Sequence, residues 1–132
     1  MPQASNIVLP DGQATPVSHT FTVIKPQNDA SASEFRDLTR TARDQQIQIT
    51  ELVTRAKGNA TRDKVKAAII VPILRTDAGG VTKVADYLSV RLEYTVPQLC
   101  TAAEKADLIA YAKNLAAHAS LTAAVVDSLP QY

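Results

Sequence analysis

The sequence predicts an α+β protein: an N-terminal β-hairpin, a five-stranded antiparallel sheet and two C-terminal α-helices. Three observations carry that expectation. Apolar and polar residues alternate in short runs up to Val96, turn residues separate those runs, and the apolar period changes from strand-like to helical after Thr101. With 132 residues the chain reads as one domain spanning 1–132, large enough for a single core and too short for a second catalytic module.

The first run, Ile7 to Leu9, is followed by Pro10, Asp11 and Gly12, which supply the fixed and the permissive φ that a reversal requires. Val17, Phe21 and Val23, with His19 among them, then alternate against Ser18, Thr20 and Thr22, the pattern of a half-buried strand. Residues 31–45 point locally to a helix, since Ser31 and Glu34 have capping-box spacing and Phe35, Leu38 and Ala42 recur at helical intervals. From Gln46 the alternation returns: Ile47 and Ile49 fall on one side, Gln46, Gln48 and Thr50 on the other. Glu51, Leu52 and Val53 interrupt it, which predicts a bulge.

Lys57, Gly58 and Asn59 make a turn, and Lys64 to Leu74 is a strand rich in Val and Ile. After a polar loop with Gly79 and Gly80 comes the clearest alternation in the chain. Leu88, Val90, Leu92, Tyr94 and Val96 oppose Tyr87, Ser89, Arg91, Glu93 and Thr95, so a one-residue slip would turn five apolar side chains outward. Thr101 with Glu104 forms a capping box for a helix whose Leu108, Ala112, Leu115 and Ala119 share a face. Ser120 is the expected cap of a second helix, with Leu121, Ala124, Val125 and Leu129 on one side and Pro130 at its end.

Composition excludes more than it selects. Fourteen basic residues oppose thirteen acidic ones, so net charge argues for no particular partner. The distribution is uneven, however: eight basic residues and only three acidic ones lie between Arg55 and Arg91. Cys100 is the single cysteine, which rules out an intrachain disulfide and reads as a small buried thiol. Neither His19 nor His118 has a Cys or acidic pair at metal-ligand spacing, no strand-turn-helix frames a nucleophilic serine, and Gly79-Gly80 falls far short of a phosphate loop. The expectation is a protein that is no enzyme and holds no cofactor or metal. The start Met1-Pro2-Gln3 is neither basic nor apolar, and no apolar run reaches the ~20 residues of a membrane span, so no membrane partner is expected and the protein reads as made in a reducing cytoplasm.

One surface stands out. Lys64, Lys66 and Ala68 share a strand face, Tyr87, Ser89 and Arg91 share another, and Gln48 and Thr50 a third. If those strands are neighbours, the sheet presents cations for phosphates, small polar groups for base edges and one ring for stacking. With four Tyr, two Phe and no Trp, an extended stacking platform is excluded. The alanine-rich first helix (Ala102, Ala103, Ala106, Ala110, Ala112, Ala116, Ala117) allows a partner backbone to approach closely, which together with uncovered apolar surface points to a homodimer.

The order of these features, from the hairpin around Ile7 to Val17, through Lys64 to Pro72, the glycine loop and Tyr87-Leu88-Ser89, to the two helices ending Leu129-Pro130-Gln131-Tyr132, resembles the coat proteins of the single-stranded RNA phages, the leviviruses. The resemblance implies an intertwined dimer whose sheets join and whose helices pack over the partner, dimers that assemble into an icosahedral capsid, and a virion made in the bacterial cytoplasm. It implies a strand at 34–39 in place of the local helix, and contacts at symmetry axes from the loop at about Arg75 to Ala85. It further implies single-stranded genomic RNA on the inner sheet face and repression of replicase translation through an RNA hairpin. Tyr87 matches a base-stacking position, Gln48 and Thr50 a base pocket, and Lys64 and Lys66 backbone contacts. Ala68, Ser89 and Arg91 depart from the family's residues at their positions, so the hairpin recognised is expected to differ. A small dimeric RNA-binding regulator that forms no shell is the alternative.

Overall fold

A computed structural model describes residues 3–29 and 31–128. Six strands, β1 (Ile7–Pro10), β2 (Ser18–Lys25), β3 (Ser33–Asp37), β4 (Gln48–Thr54), β5 (Arg62–Thr76) and β6 (Thr82–Pro97), precede two helices, α1 (Ala102–Ala117) and α2 (Ala119–Asp127). The strands lie side by side in chain order, so the N-terminal hairpin is continuous with the sheet and the whole is one six-stranded antiparallel meander. Contacts cluster into two units, residues 1–95 and 96–132, described separately below.

In the sheet unit the apolar residues of successive strands are set opposite one another. Val23 pairs with Phe35, Phe35 with Ile49 and Ile49 with Ile69, while Ile7 pairs with Phe21. Phe21, Phe35 and Ile49 are buried, and Ile7, Val23, Ile47 and Ile69 pack against them. Each fully buried large apolar side chain contributes about 1.5–3 kcal/mol. Among the described residues these three make a small core.

Residues 31–45 form β3 and a single 3-10 turn at Arg43–Gln45, so the strand expected from the resemblance is present and the locally indicated helix is not. Burial decides the matter: Ser33, Phe35 and Asp37 alternate inward, and strand pairing on both sides outweighs weak helical propensity. The capping box does not form, because the Ser31 hydroxyl donates to Asn28 and Glu34 pairs with Arg36. The bulge expected at Glu51–Val53 is also absent. β4 and β5 keep one register from Gln48 to Thr54, and the irregularity falls instead between Val23 and Lys25 in β2. Glu51 shares the parity of Ile49 and Val53, and its exposed side chain lets an acidic residue occupy that side without a shift.

Gly58 and Gly80 adopt positive φ in the turns after β4 and β5, where a Cβ would be strained. In the second turn the Asp77 carboxylate accepts from the Val81 N–H, and Gly80 donates to the Asp77 carbonyl. Pro72, which has no N–H, lies beyond Ile70, the last β5 residue paired with β4.

In the helical unit the capping box of α1 forms as expected, Glu104 N–H donating to the Thr101 hydroxyl and Thr101 N–H to the Glu104 carboxylate. The second cap differs from expectation. His118, extended between the helices, ends α1 and caps α2 by accepting the Ser120 N–H at its Nδ1, so Ser120 is inside the helix. Leu129, Pro130 and Tyr132 lie outside the described residues. Cys100 is free and half-buried, more open than expected. No residue of either helix is buried.

Phe35 occupies the middle of the cross-strand row and is 3 % exposed. Phe35→Ala is expected to destabilise the subunit by about 3–5 kcal/mol in urea unfolding; a loss below about 1 kcal/mol would show that this row is not the core.

Candidate nucleic-acid interface

Because strand side chains alternate, the register that turns Phe35, Ile49 and Ile69 to one side turns their neighbours to the other. Thr50 stands opposite Ala68 and Glu34, Gln48 opposite Ile70 and Arg36, Leu52 opposite Lys66, and Thr54 opposite Lys64. Gln48, Thr50, Lys64 and Lys66 therefore share the face away from the buried row. β6 extends it, since Lys66 Nζ lies 4.0 Å from Glu93 Oε2. Tyr87, Ser89 and Arg91 have the parity of Glu93 along β6 and project to the same side.

Thr50, Leu52, Lys66, Ala68, Arg91 and Glu93 line one surface hollow, so three of the seven residues singled out in the sequence, Thr50, Lys66 and Arg91, meet there. Gln48 adjoins it along β4. Lys64 and Tyr87 sit further out in opposite directions: Tyr87 is six residues before Glu93, roughly 20 Å along the strand. The residues thus make a strip across three strands rather than a pocket. Tyr87 is 57 % exposed, with its ring available for a stacking partner.

Alternation on β3 adds a part that helical spacing had hidden. Arg36 lies opposite Gln48 and donates to the Glu34 carboxylate, to the Arg43 carbonyl at 2.9 Å and to Gln48 Oε1 at 3.3 Å. Its charge is spent inside the protein, and it holds the Gln48 side chain. Lys66 has a weak, exposed pair with Glu93, whereas Lys64 and Arg91 have no ion pair with any described residue. The free positive charge of the strip is therefore on Lys64 and Arg91, with Lys66 partly shared.

Such a face has cations to attract a polyanion, small polar groups to orient it and one exposed ring to stack on. The described residues include no cluster of three His, Cys, Asp or Glu that could hold a metal. No described helix is long and apolar enough to cross a membrane.

The class defined is an antiparallel β-sheet protein with two C-terminal helices and a polar strip on one sheet face. The family model described as levivirus coat protein matches residues 2–132, and the chain belongs to that family. Its function class is accordingly structural, a coat protein and no enzyme. Among solved structures it is similar to the virus-like particle of bacteriophage NT-214, with 29% identity and a TM-score of 0.90 over 99% of this chain and 100% of that one. The virus-like particle of Beihai levi-like virus 21 shares the fold at 24% identity and a TM-score of 0.88, over 99% of both chains. The bacteriophage GA protein capsid shares it at 19% identity and a TM-score of 0.67, over 97% of both. No curated protein matches the sequence.

Arg36 and Glu34 are both mostly shielded from solvent. Arg36→Ala leaves the Glu34 carboxylate without its main partner and should destabilise the subunit by about 1–3 kcal/mol, read by denaturant unfolding. Equal stability of variant and parent would show the pair to be incidental.

Proposed function

We propose that this coat protein pairs into homodimers, that the dimers close into an icosahedral shell, and that the strip bearing Gln48, Thr50, Lys64, Lys66, Tyr87, Ser89 and Arg91 faces inward and holds single-stranded genomic RNA. The observation that carries the RNA assignment is the register between β4 and β5, which gathers Gln48, Thr50, Lys64 and Lys66 on the face opposite the core. Cations along a groove with one ring for stacking suit a single strand or hairpin loop. Assembly accords with the similarity to the virus-like particle of bacteriophage NT-214.

What one chain leaves uncovered supports the dimer. β6 is the last strand of the sheet, and its Leu88, Val90 and Leu92 are exposed, as are Leu108, Ile109, Leu115, Leu121 and Val125 of the helices. An open sheet edge beside apolar side chains is stabilised by pairing with the same strand of a second copy, under that copy's helices. An RNA hairpin on the joined faces is the element through which replicase translation is repressed. Ala68, Ser89 and Arg91 give this face its own preference, so the hairpin it selects differs from those of relatives.

Expression in bacteria should yield nuclease-resistant particles of MDa mass, visible by electron microscopy. A dimer that stays small under all assembly conditions would mark the protein as an RNA-binding regulator without a shell. Tyr87→Ala should weaken selected-hairpin binding by about 1–3 kcal/mol and leave particles intact; loss of particles would give Tyr87 a structural role. Lys64→Ala and Lys66→Ala should each reduce the slope of log affinity against log salt by about one unit, and an unchanged slope would remove them from the interface.

A further inference from the structure

A second polar cluster lies on the core side of the sheet, away from the strip. Asp11, in the turn after β1, and Asp37, the last residue of β3, both reach His19 on β2. The sequence offered no acidic pair around this histidine, because the two carboxylates come from eight residues before it and eighteen after. His19 Nδ1 is 2.7 Å from Asp37 Oδ2, and Nε2 is 3.2 Å from Asp11 Oδ2. The carboxylates meet opposite nitrogens of the ring, so the three side chains do not converge on a point where a cation could sit. We propose that His19 is a pH-controlled latch that, when protonated, ties the turn between β1 and β2 to the end of β3.

The proton count carries the proposal. A neutral imidazole has one N–H and can donate to one carboxylate, leaving its other nitrogen lone pair against the second; only the imidazolium donates to both. The other oxygen of each carboxylate is already in use. Asp37 Oδ1 accepts the Thr39 N–H at 3.0 Å and the Thr39 hydroxyl at 2.8 Å, and the residue is 2 % exposed. Asp11 Oδ1 accepts the N–H groups of Val17 at 3.0 Å and Gln13 at 3.2 Å, and Asp11 N–H donates to the Val17 carbonyl, which closes the turn upon itself. On deprotonation the ring keeps its single N–H on Asp37, the shorter and more buried contact, because an unpaired buried carboxylate is the costlier outcome. Asp11 then faces a lone pair, and the turn it organises comes off β3.

The remaining neighbours do not compete. Leu9 of β1, the partner of His19 across the ladder, is apolar, Thr39 is neutral, and Asp11 and Asp37 are the charged groups within ion-pair reach of the ring among the described residues. The hydrogen bond to Asp37, and then that to Asp11, hold the His19 pKa above its usual 6.5 against the opposing effect of burial. The Val17 backbone N–H and then His19 hold Asp11 below 3.8. For Asp37 burial acts upward, but the Thr39 and His19 hydrogen bonds outweigh it and leave that carboxyl below 3.8 as well. The raised histidine therefore stabilises the fold in full below pH 6.5 and ceases to do so as pH rises through its folded value. The lowered carboxylates stabilise it above 3.8 and cease as pH falls through theirs, so the latch is closed between those limits.

Hydrogen exchange of the full-length protein, corrected for intrinsic rates and stepped between about pH 5 and pH 9, reads the latch directly. Protection at the Gln13 and Val17 amides should fall several-fold as His19 loses its proton, with β4 and β5 amides unchanged. Nitrogen-15 histidine NMR on the same sample, with His118→Gln to assign the two rings, supplies the His19 titration. Asp11→Asn, which leaves the buried Asp37 pair in place, should remove the pH dependence of the turn and lower the His19 pKa. Turn protection that does not follow the His19 titration overturns the proposal. A pH-dependent loss spread equally over β4 and β5 also overturns it, as does a His19 ring already neutral below pH 6.5.

Discussion

The cross-strand row Val23, Phe35, Ile49 and Ile69 is the constraint on which the rest of the sheet depends. Side chains alternate strictly along a strand, so anchoring these residues on one side commits Arg36, Gln48, Thr50 and Ala68 to the other. A slip of one residue in any strand would exchange the two sets. Polar members of the core side are held by specific partners: the Ser33 hydroxyl donates to the Glu51 carbonyl, and Asp37 accepts from Thr39 and His19. Their hydrogen bonds keep the register affordable where an unpaired polar group would work against it.

The same row is short, and that brevity shapes the protein's life. Among the described residues the buried apolar side chains are Phe21, Phe35 and Ile49, each contributing about 1.5–3 kcal/mol. Much of the apolar surface, on β6 and on both helices, instead faces outward. In a coat protein such exposed apolar side chains are surface open to contact with further copies.

On the polar face the decisive quantity is how firmly each cation is already engaged. Arg36 is held by Glu34, Arg43 and Gln48, and removing it from them to meet a phosphate would leave a shielded carboxylate with only the exposed Arg43 guanidinium 3.9 Å away. Lys66 and Glu93 are both exposed at a 4.0 Å separation, and such a pair exchanges for a phosphate at little cost. Arg36 thus belongs to the frame that sets Gln48, while Lys64, Lys66 and Arg91 remain available to a polyanion.

Much was legible in the sequence where the signal is local. The strand signalled from Tyr87 to Val96, the Thr101–Glu104 capping box and the Lys57-Gly58-Asn59 turn are each written in adjacent residues, and each appears in the fold, although Leu88, Val90 and Leu92 of that strand are exposed in the single chain. So does the shared face of Lys64, Lys66 and Ala68, since period two needs no knowledge of neighbours. Tertiary structure decided what depends on partners distant in sequence. Residues 33–37 are a strand because β2 and β4 pair with them on both sides, against a helical local pattern. Ser120 yields the cap to His118 because the break between the helices falls two residues earlier than its side-chain chemistry suggested. Asp11 and Asp37 reach His19 only when three strands are in place. By itself the sequence determined a one-sided sheet, two helices and a basic middle third; the hydrogen-bonded register decided which side chains meet, because contact across strands is a property of pairing and not of spacing along the chain.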